Sequence, residues 1–167
     1  ETDKRAGARP ALVLGAGGAA RAVVLALSDL GVPEIVVANR RPDRAEALAA
    51  DLPGVRLRLI GMDDASLRAA LPGAGLLVNA TSLGWHAGER PLNPDFLALM
   101  PEDAFVADLT YRDTDLLLAA RERGFGTLDG LGMLVHQGAR QFTLWTGLEP
   151  PLKVMWSAAL AARGARV

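Results

Sequence analysis

The pattern of apolar and polar positions predicts strands and helices in regular alternation over most of the chain. Short apolar runs predict strands at 11–14, 34–38, 55–59, 75–79, 104–109 and 126–128. Segments with helical spacing predict helices at 18–30, 42–52, 64–71, 95–99 and 114–123. The alternating run 55–59 favours a sheet edge. Together these elements predict an α/β fold, with a mostly parallel six-stranded sheet and helices on both faces.

After the last predicted strand the pattern is helical only. Met133, Gln137 and Gln141 are spaced four apart and share one helix face, next to a face of larger apolar residues. The final segment predicts an amphipathic helix. One stripe of that helix carries Leu152, Met155, Trp156, Ala159 and Arg163.

A glycine-rich turn lies between the first predicted strand and the first predicted helix, where residues 13–23 read VLGAGGAARAV. Gly15 permits a tight turn, and Gly17 permits the backbone to approach a pyrophosphate. Ala20 occupies a position that need only be small. The helix N-terminus adds free N–H groups and a partial positive charge. The alternative is a turn that serves packing alone; the flanking strand and helix favour nucleotide binding over it.

Basic residues follow the second predicted strand, where an acid would bind a ribose 2′-hydroxyl and repel a 2′-phosphate. The chain has Asn39, Arg40 and Arg41 there, with Arg44 close behind. Guanidinium groups bind phosphate through charge-assisted hydrogen bonds. A merely solvated helix start is the alternative, but cations oppose the dipole at a helix N-terminus. The sequence therefore favours NADP over NAD.

Polar segments also follow the later strands, at 79–85, 108–111 and 129–137. In doubly wound sheets ligands bind at these carboxyl ends of the strands. For 79–85, ligand contact and an ordinary loop with Ser/Thr turns are equally good interpretations. Tyr111 can offer its hydroxyl group to a substrate, or it can be a half-buried packing residue. Gln137 can contact a ligand, or it can simply be exposed to solvent.

Composition narrows the class of protein. The net charge of −1 gives no electrostatic reason for binding nucleic acid or an anionic membrane. The absence of cysteine excludes disulfides and thiolate metal sites, and the two histidines lack metal-ligand spacing, so we expect no metal site. We expect a cytoplasmic protein, because the absence of cysteine fits that compartment. No apolar run approaches the roughly 20 residues of a membrane span, and no signal peptide is visible.

These motifs together resemble shikimate dehydrogenase, specifically the C-terminal NADP-binding domain of that family. The resemblance covers nearly the whole chain and rests on several motifs in order. The matching segments are 15–21, Asn39-Arg40, 79–84, 108–111, 129–137 and Trp145-Thr146-Gly147.

The resemblance implies a Rossmann-like doubly wound fold and the reversible NADPH-dependent reduction of 3-dehydroshikimate to shikimate. It implies that the pyrophosphate is bound by Gly15, Ala16, Gly17, Gly18 and Ala19. It places Asn39, Arg40, Arg41 and Arg44 around the 2′-phosphate of the adenosine ribose. The residues implied to flank the adenine or the nicotinamide are Thr81, Ser82, Leu109, Gly130 and Met133. Those implied to touch the substrate are Tyr111 and Gln137.

The chain departs from the family pattern in two places. Arg41 stands where threonine is usual, which either strengthens the preference for a 2′-phosphate or leaves a solvated side chain. The segment 112–116 is shorter than usual and lacks the customary proline, so the shape of that turn is open.

The family's catalytic lysine and aspartate belong to an N-terminal domain. Neither Lys4 nor Lys153 stands in that lysine motif, so we expect no catalytic residue in this chain. Residues 1–10 then form a linker, 11–150 the NADP-binding domain, and 151–167 a helix that packs on the missing N-terminal domain. That domain, NADP(H) and shikimate or 3-dehydroshikimate are the expected partners, with a homodimer as a further expectation.

Two other functions stay open. One is the cofactor domain of a quinate/shikimate dehydrogenase that uses NAD. The other is a freestanding, non-catalytic nucleotide-binding module that pairs through its last helix.

Overall fold

The computed structural model describes residues 9–86 and 88–164. The predicted linker, except for its last two residues, lies outside this part of the chain. The strands are β1 (Ala11–Leu14), β2 (Ile35–Asn39), β3 (Leu57–Gly61), β4 (Leu76–Asn79), β5 (Phe105–Asp108) and β6 (Gly126–Leu128). The helices are α1 (Gly18–Asp29), α2 (Pro42–Ala50), α3 (Asp64–Ala70), α4 (Asp115–Glu122), α5 (Leu131–Thr146) and α6 (Leu152–Gly164). Short 3₁₀ helices cover Leu71–Gly73 and Pro94–Leu99.

All neighbouring strands of the sheet run parallel, in the order β3-β2-β1-β4-β5-β6. The first strand, β1, lies in the middle of the sheet; the chain then builds outward to β3 and crosses back to β4. The order therefore reverses between β1 and β4, and a crevice forms there outside the carboxyl ends of the strands. The predicted fold class is confirmed, and the sheet is wholly parallel.

The central strands are apolar up to their last residues, and they are buried on both faces of the sheet. Leu12 and Leu14 of β1 face a core shared with α3 and α4, whereas Ala11 and Val13 face a core shared with α1 and α2. This alternation along one strand makes two packed layers of helices around one sheet.

Most predicted element ends lie within one or two residues of those in the structure, and two differences have a clear physical reason. The predicted strand 55–59 lies at Leu57–Gly61, because the Val55 N–H donates to the Leu52 carbonyl oxygen and closes a turn there. It is an edge strand, as predicted. The predicted helix at 95–99 is a 3₁₀ helix that begins at Pro94 and is capped by the Asn93 side chain.

The two C-terminal helices pack on each other. Trp156 and Met155 of α6 lie against Gly132 and Gly138 of α5, where an added Cβ would come within 3.4 and 3.2 Å of the two side chains. The predicted stripe of α6 is thus half-buried against α5, so part of it is used within the chain. Other apolar side chains at this end are largely exposed: Leu144, Trp145, Leu148, Val154 and Leu160.

Candidate functional site

The loops that leave β1, β2, β4 and β5 meet at one edge of the sheet. The Gly15 N–H donates to the Ala38 carbonyl oxygen (2.8 Å), and the Ala80 N–H donates to the Leu14 carbonyl oxygen (2.9 Å). The Leu109 N–H donates to the Asn79 carbonyl oxygen (3.0 Å). The sheet ladder thus continues past the strand ends and brings the predicted site residues of four loops together.

The glycine turn after β1 has the backbone that a phosphate-binding turn needs. Gly15 has φ of +102°, and a Cβ on it would lie 3.0 Å from Thr81 Cγ2. Gly17 and Gly18 are exposed, and a Cβ on either would meet no atom within 4 Å. Gly15 is therefore required by the protein itself, whereas the space beside Gly17 and Gly18 is open to a ligand.

The N-terminus of α1 adjoins this open space. Gly17 is its N-cap, and no side chain caps the helix among the residues that the structure describes. Uncapped first-turn N–H groups and the helix dipole favour an anion at this position. Ala16 and Ala19, also predicted to bind the pyrophosphate, flank the cap and carry no side chain large enough to fill the space. The turn therefore fits a pyrophosphate.

The basic residues after β2 form the next part of the edge. The Asn39 side-chain amide donates to the Arg41 carbonyl oxygen (2.8 Å), which fixes the turn into α2. Arg40, Arg41 and Arg44 are exposed, and within residues 9–86 and 88–164 none of the three forms an ion pair. Arg21, in contrast, is paired with Asp51. Three exposed arginines thus lie at the end of β2 and the start of α2, and β2 pairs with the strand that leads into the glycine turn.

Asn79 anchors the loop after β4. Its buried side-chain oxygen accepts hydrogen bonds from the Thr81 N–H (3.1 Å) and the Thr81 hydroxyl (2.7 Å). Its amide donates to the Leu83 carbonyl oxygen (2.9 Å). Thr81 is therefore held beside Gly15, whereas Ser82 is exposed.

Asp108 anchors the loop after β5 in the same way and is fully buried. Its Oδ1 accepts from the Thr110 N–H (3.0 Å) and hydroxyl (2.9 Å), and its Oδ2 accepts from the Thr114 hydroxyl (2.9 Å). Thr114 is in turn the N-cap of α4. The sequence shows this arrangement as an acceptor followed two residues later by threonine, a spacing shared by Asn79-Ala80-Thr81 and Asp108-Leu109-Thr110.

Gly130 brings the start of α5 against the end of β5. Its N–H donates to the Thr110 carbonyl oxygen (2.8 Å), and a Cβ on it would lie only 2.0 Å from the Leu109 carbonyl oxygen. Asp129 accepts a hydrogen bond from the Leu131 N–H (3.0 Å) and pairs with Arg163 of α6. Gly130 and Leu109, both predicted site residues, are thus in direct contact.

A cavity of about 350 Å³ opens beside these loops. Trp85, Tyr111 and Arg112 line one side of it, and α5 and α6 line the other through Leu131, Leu134 and Arg163. Met133 and Gln137 are exposed on α5 and do not line it. The sequence prediction included Tyr111 but missed Trp85 and Arg112, which lie on two different loops and meet only in the fold.

The strand order, the crevice and the glycine turn define a doubly wound, Rossmann-like α/β domain. Residues 2–86 match the family model described as shikimate / quinate 5-dehydrogenase, and residues 130–160 match the shikimate 5'-dehydrogenase C-terminal domain. The chain belongs to the shikimate / quinate 5-dehydrogenase family.

Among similar proteins is the shikimate dehydrogenase (NADP(+)) of Rhodopseudomonas palustris, 56% identical over 142 residues, which are 84% of this chain and 49% of the relative. That of Methylobacterium radiotolerans has the same identity and coverage. The chain thus spans about half the length of the curated relatives it matches.

Solved structures of this family share the fold. The shikimate 5-dehydrogenase of Thermus thermophilus in complex with NADP(H) and shikimate has a TM-score of 0.74 and 43% identity, over 93% of this chain and 56% of that one. The quinate dehydrogenase of Corynebacterium glutamicum in complex with NAD has a TM-score of 0.82 and 32% identity, over 95% and 57%.

Proposed function

We propose that this chain is the NADP-binding part of a shikimate dehydrogenase, the enzyme that interconverts 3-dehydroshikimate and shikimate. The observation that carries the proposal is the joint placement, at one sheet edge, of an open glycine turn and of Arg40, Arg41 and Arg44, which form no ion pair among the residues that the structure describes. When bound, NADP(H) supplies or accepts the hydride of this reaction. The chain's own residues bind and orient the dinucleotide.

The glycine turn supports binding of the pyrophosphate through the N–H groups of residues 17–19. Arg40, Arg41 and Arg44 support recognition of a 2′-phosphate, because no acid stands at the end of β2 to accept a ribose hydroxyl. Thr81, Ser82, Leu109, Gly130 and Met133 are proposed to lie along the rest of the dinucleotide. The NADP dependence stated in the names of the similar curated proteins supports the same preference.

Tyr111 and Gln137 are the proposed substrate contacts. Tyr111 lines the cavity beside the proposed nicotinamide position, whereas Gln137 is exposed on α5 and is open to a second domain. A proton donor must lie within hydrogen-bond reach of the reacting oxygen. We propose that an N-terminal domain supplies it and packs on this end of the molecule, where α5 and α6 expose apolar side chains. On this proposal the chain alone binds NADP but does not turn over shikimate.

A second candidate is the cofactor domain of a quinate dehydrogenase that uses NAD. The likeness to the quinate dehydrogenase solved with NAD favours it. The arginines at the end of β2 favour NADP. A cytoplasmic location and a homodimer stay predictions; in the described part of the chain, no helix combines the length and apolarity needed to cross a bilayer.

Calorimetric titration of the chain with NADP⁺ and with NAD⁺ tests the proposal. We expect NADP⁺ to bind at least about tenfold tighter, which corresponds to one phosphate contact of about 1.4 kcal/mol. Tighter binding of NAD⁺ would support the second candidate, and no binding of either nucleotide would contradict both. An assay with shikimate and NADP⁺ should show no turnover; clear turnover would contradict the proposed need for a second domain.

A further inference from the structure

Tyr111 is fixed along its backbone by one buried carboxylate. Asp108 holds Thr110 on one side of Tyr111 and Thr114 on the other, through three hydrogen bonds of 2.9 to 3.0 Å. The two ends of the turn that carries Tyr111, Thr110 and Thr114, are therefore both bonded to the Asp108 carboxylate. This arrangement sets where the Tyr111 Cα lies but leaves the direction of its ring to other contacts.

The ring of Tyr111 meets Trp85, on the loop after β4. Their centroids are 5.0 Å apart and their planes are inclined by 78°, an edge-to-face pair. Such pairs are directional because the positive edge of one ring faces the negative face of the other. Both rings line the same cavity.

Trp85 is itself held from the Tyr111 side. Gly84, with φ of +102°, packs so closely that a Cβ on it would lie 3.3 Å from Thr114 Cγ2. The Arg112 guanidinium donates to the Trp85 carbonyl oxygen and lies 5.4 Å from the centre of its ring. The two loops thus contact each other at three places, and Trp85 is positioned by Tyr111 itself and by Arg112, the residue that follows it.

We propose that Trp85 is a positioning residue, which holds the Tyr111 ring in the orientation that presents its hydroxyl to the ligand in the cavity. This inference rests on the proposed function, in which Tyr111 contacts the substrate. Trp85 acts through Tyr111 and has no chemical step of its own. The Tyr111 side chain without this contact retains its rotamer freedom, which ligand binding must then remove.

The chain has a single tyrosine, so incorporation of 3-fluorotyrosine gives one ¹⁹F NMR signal from Tyr111. Its line width reports how rigidly the ring is held and, unlike the chemical shift, does not depend on the ring current of Trp85. We compare the wild-type chain with Trp85→Ala and Trp85→Phe. Trp145→Ala is the matched control, because Trp145 is 79% exposed on α5. Thermal unfolding of each variant verifies that the fold is retained.

The ¹⁹F signal of the wild-type chain should be broader than that of free 3-fluorotyrosine. We expect most of this extra width to disappear in Trp85→Ala. Trp85→Phe, which keeps an aromatic partner, and Trp145→Ala should both retain it. A Trp85→Ala signal as broad as that of the wild type would overturn the proposal. So would a Trp85→Phe signal as narrow as that of Trp85→Ala, since any change to the loop would then free the ring.

A separate measurement distinguishes this inference from the function on which it rests. Shikimate and NADP⁺ are added to the labelled wild-type chain, and the position of the ¹⁹F signal is followed. A signal that does not respond would remove the proposed substrate role of Tyr111. The line widths of the three variants would still decide whether Trp85 holds the ring.

Discussion

The edge of the sheet that carries the candidate site has two halves built on different principles. In the open half, after β1 and β2, the groups proposed to bind the ligand are backbone N–H groups and guanidinium groups that have no cap or ion-pair partner within residues 9–86 and 88–164. In the anchored half, after β4, β5 and β6, a polar side chain at the strand end, or directly after it, forms hydrogen bonds within the loop that follows. Those side chains are Asn79, Asp108 and Asp129.

The difference separates ligand binding from stability. Polar groups in the open half have few partners within the protein, so removing one should weaken the ligand and spare the fold. Polar groups in the anchored half are satisfied by the protein itself. Removing one leaves buried or half-buried donors without an acceptor, which lowers the free energy of unfolding. Substitutions in each half can test this separation.

A pair of glycine substitutions should give the largest contrast. Gly130→Ala places a Cβ 2.0 Å from the Leu109 carbonyl oxygen, so α5 must move, and we expect a loss of about 3 kcal/mol or more in unfolding free energy. Gly17→Ala meets no atom within 4 Å and should cost less than about 1 kcal/mol, as an N-cap change. Its methyl group should nevertheless weaken NADP⁺ binding, because it enters the space proposed for the pyrophosphate. Urea unfolding and NADP⁺ titration of both variants measure this; equal stability losses would erase the contrast.

Removal of the buried Asp108 carboxylate should have the second-largest effect on stability. Asp108→Ala leaves the Thr110 N–H and two hydroxyl groups without their acceptor, and we expect a loss of about 2–3 kcal/mol in urea unfolding. Asp103→Ala is the control, because its ion pair with Arg9 is exposed and should contribute less than about 1 kcal/mol. If both variants lost a similar amount of unfolding free energy, the burial of Asp108 would not explain its contribution to stability.

Arg40→Ala tests the open half through its effect on nucleotide binding. We expect NADP⁺ to lose about 1–3 kcal/mol of binding free energy, the range of one hydrogen bond to a charged group, with little change for NAD⁺. The unfolding free energy should change by less than about 0.5 kcal/mol, as for an exposed side chain. Arg56→Ala, an exposed arginine before β3, should alter neither quantity. Equal losses of binding free energy for the two nucleotides would show that Arg40 supports the fold and does not bind the 2′-phosphate.

The smallest effect should come from Asp63, an exposed carboxylate that also accepts hydrogen bonds from the residues after it. Asp63 caps α3 after β3, and the pKa of its carboxyl group is lowered, first by the hydrogen bond from the Ser66 N–H and then by the Ser66 hydroxyl. A lowered pKa in the folded state contributes stability above the pKa of the unfolded chain, and that contribution is lost as pH falls through the folded pKa. Ser66→Ala should raise the Asp63 pKa toward its ordinary value in an NMR titration. An unchanged pKa would assign the shift to the backbone bond alone.

Much of the fold followed from the sequence, because the sheet is built from apolar runs that are unmistakable in length and spacing. The glycine turn and the arginines were also predictable, since they are local patterns at the ends of β1 and β2. The edge strand β3 was placed two residues early, because a turn closed by Val55 competes with strand pairing.

The anchored half was harder to predict, since its residues act through partners on other loops. Asn79 and Asp108 carry a local signal, the threonine two residues later, but their burial follows from the packing around the sheet, and Asp108 also needs Thr114 at the start of α4. The contact between Trp85 and Tyr111 carries no local signal. It exists because β4 and β5 are neighbours in the sheet and their loops leave at the same height.

That common height determines where the chain can change length. Asn79 and Asp108 are direct partners in the β4–β5 ladder, so one residue inserted within either strand would turn its side chains to the opposite face and separate the two anchors. An insertion at the exposed turn around Gly54 disturbs neither ladder nor anchor. Sequence drift and protein engineering alike should therefore add residues at that turn and keep the spacing within β4 and β5 fixed.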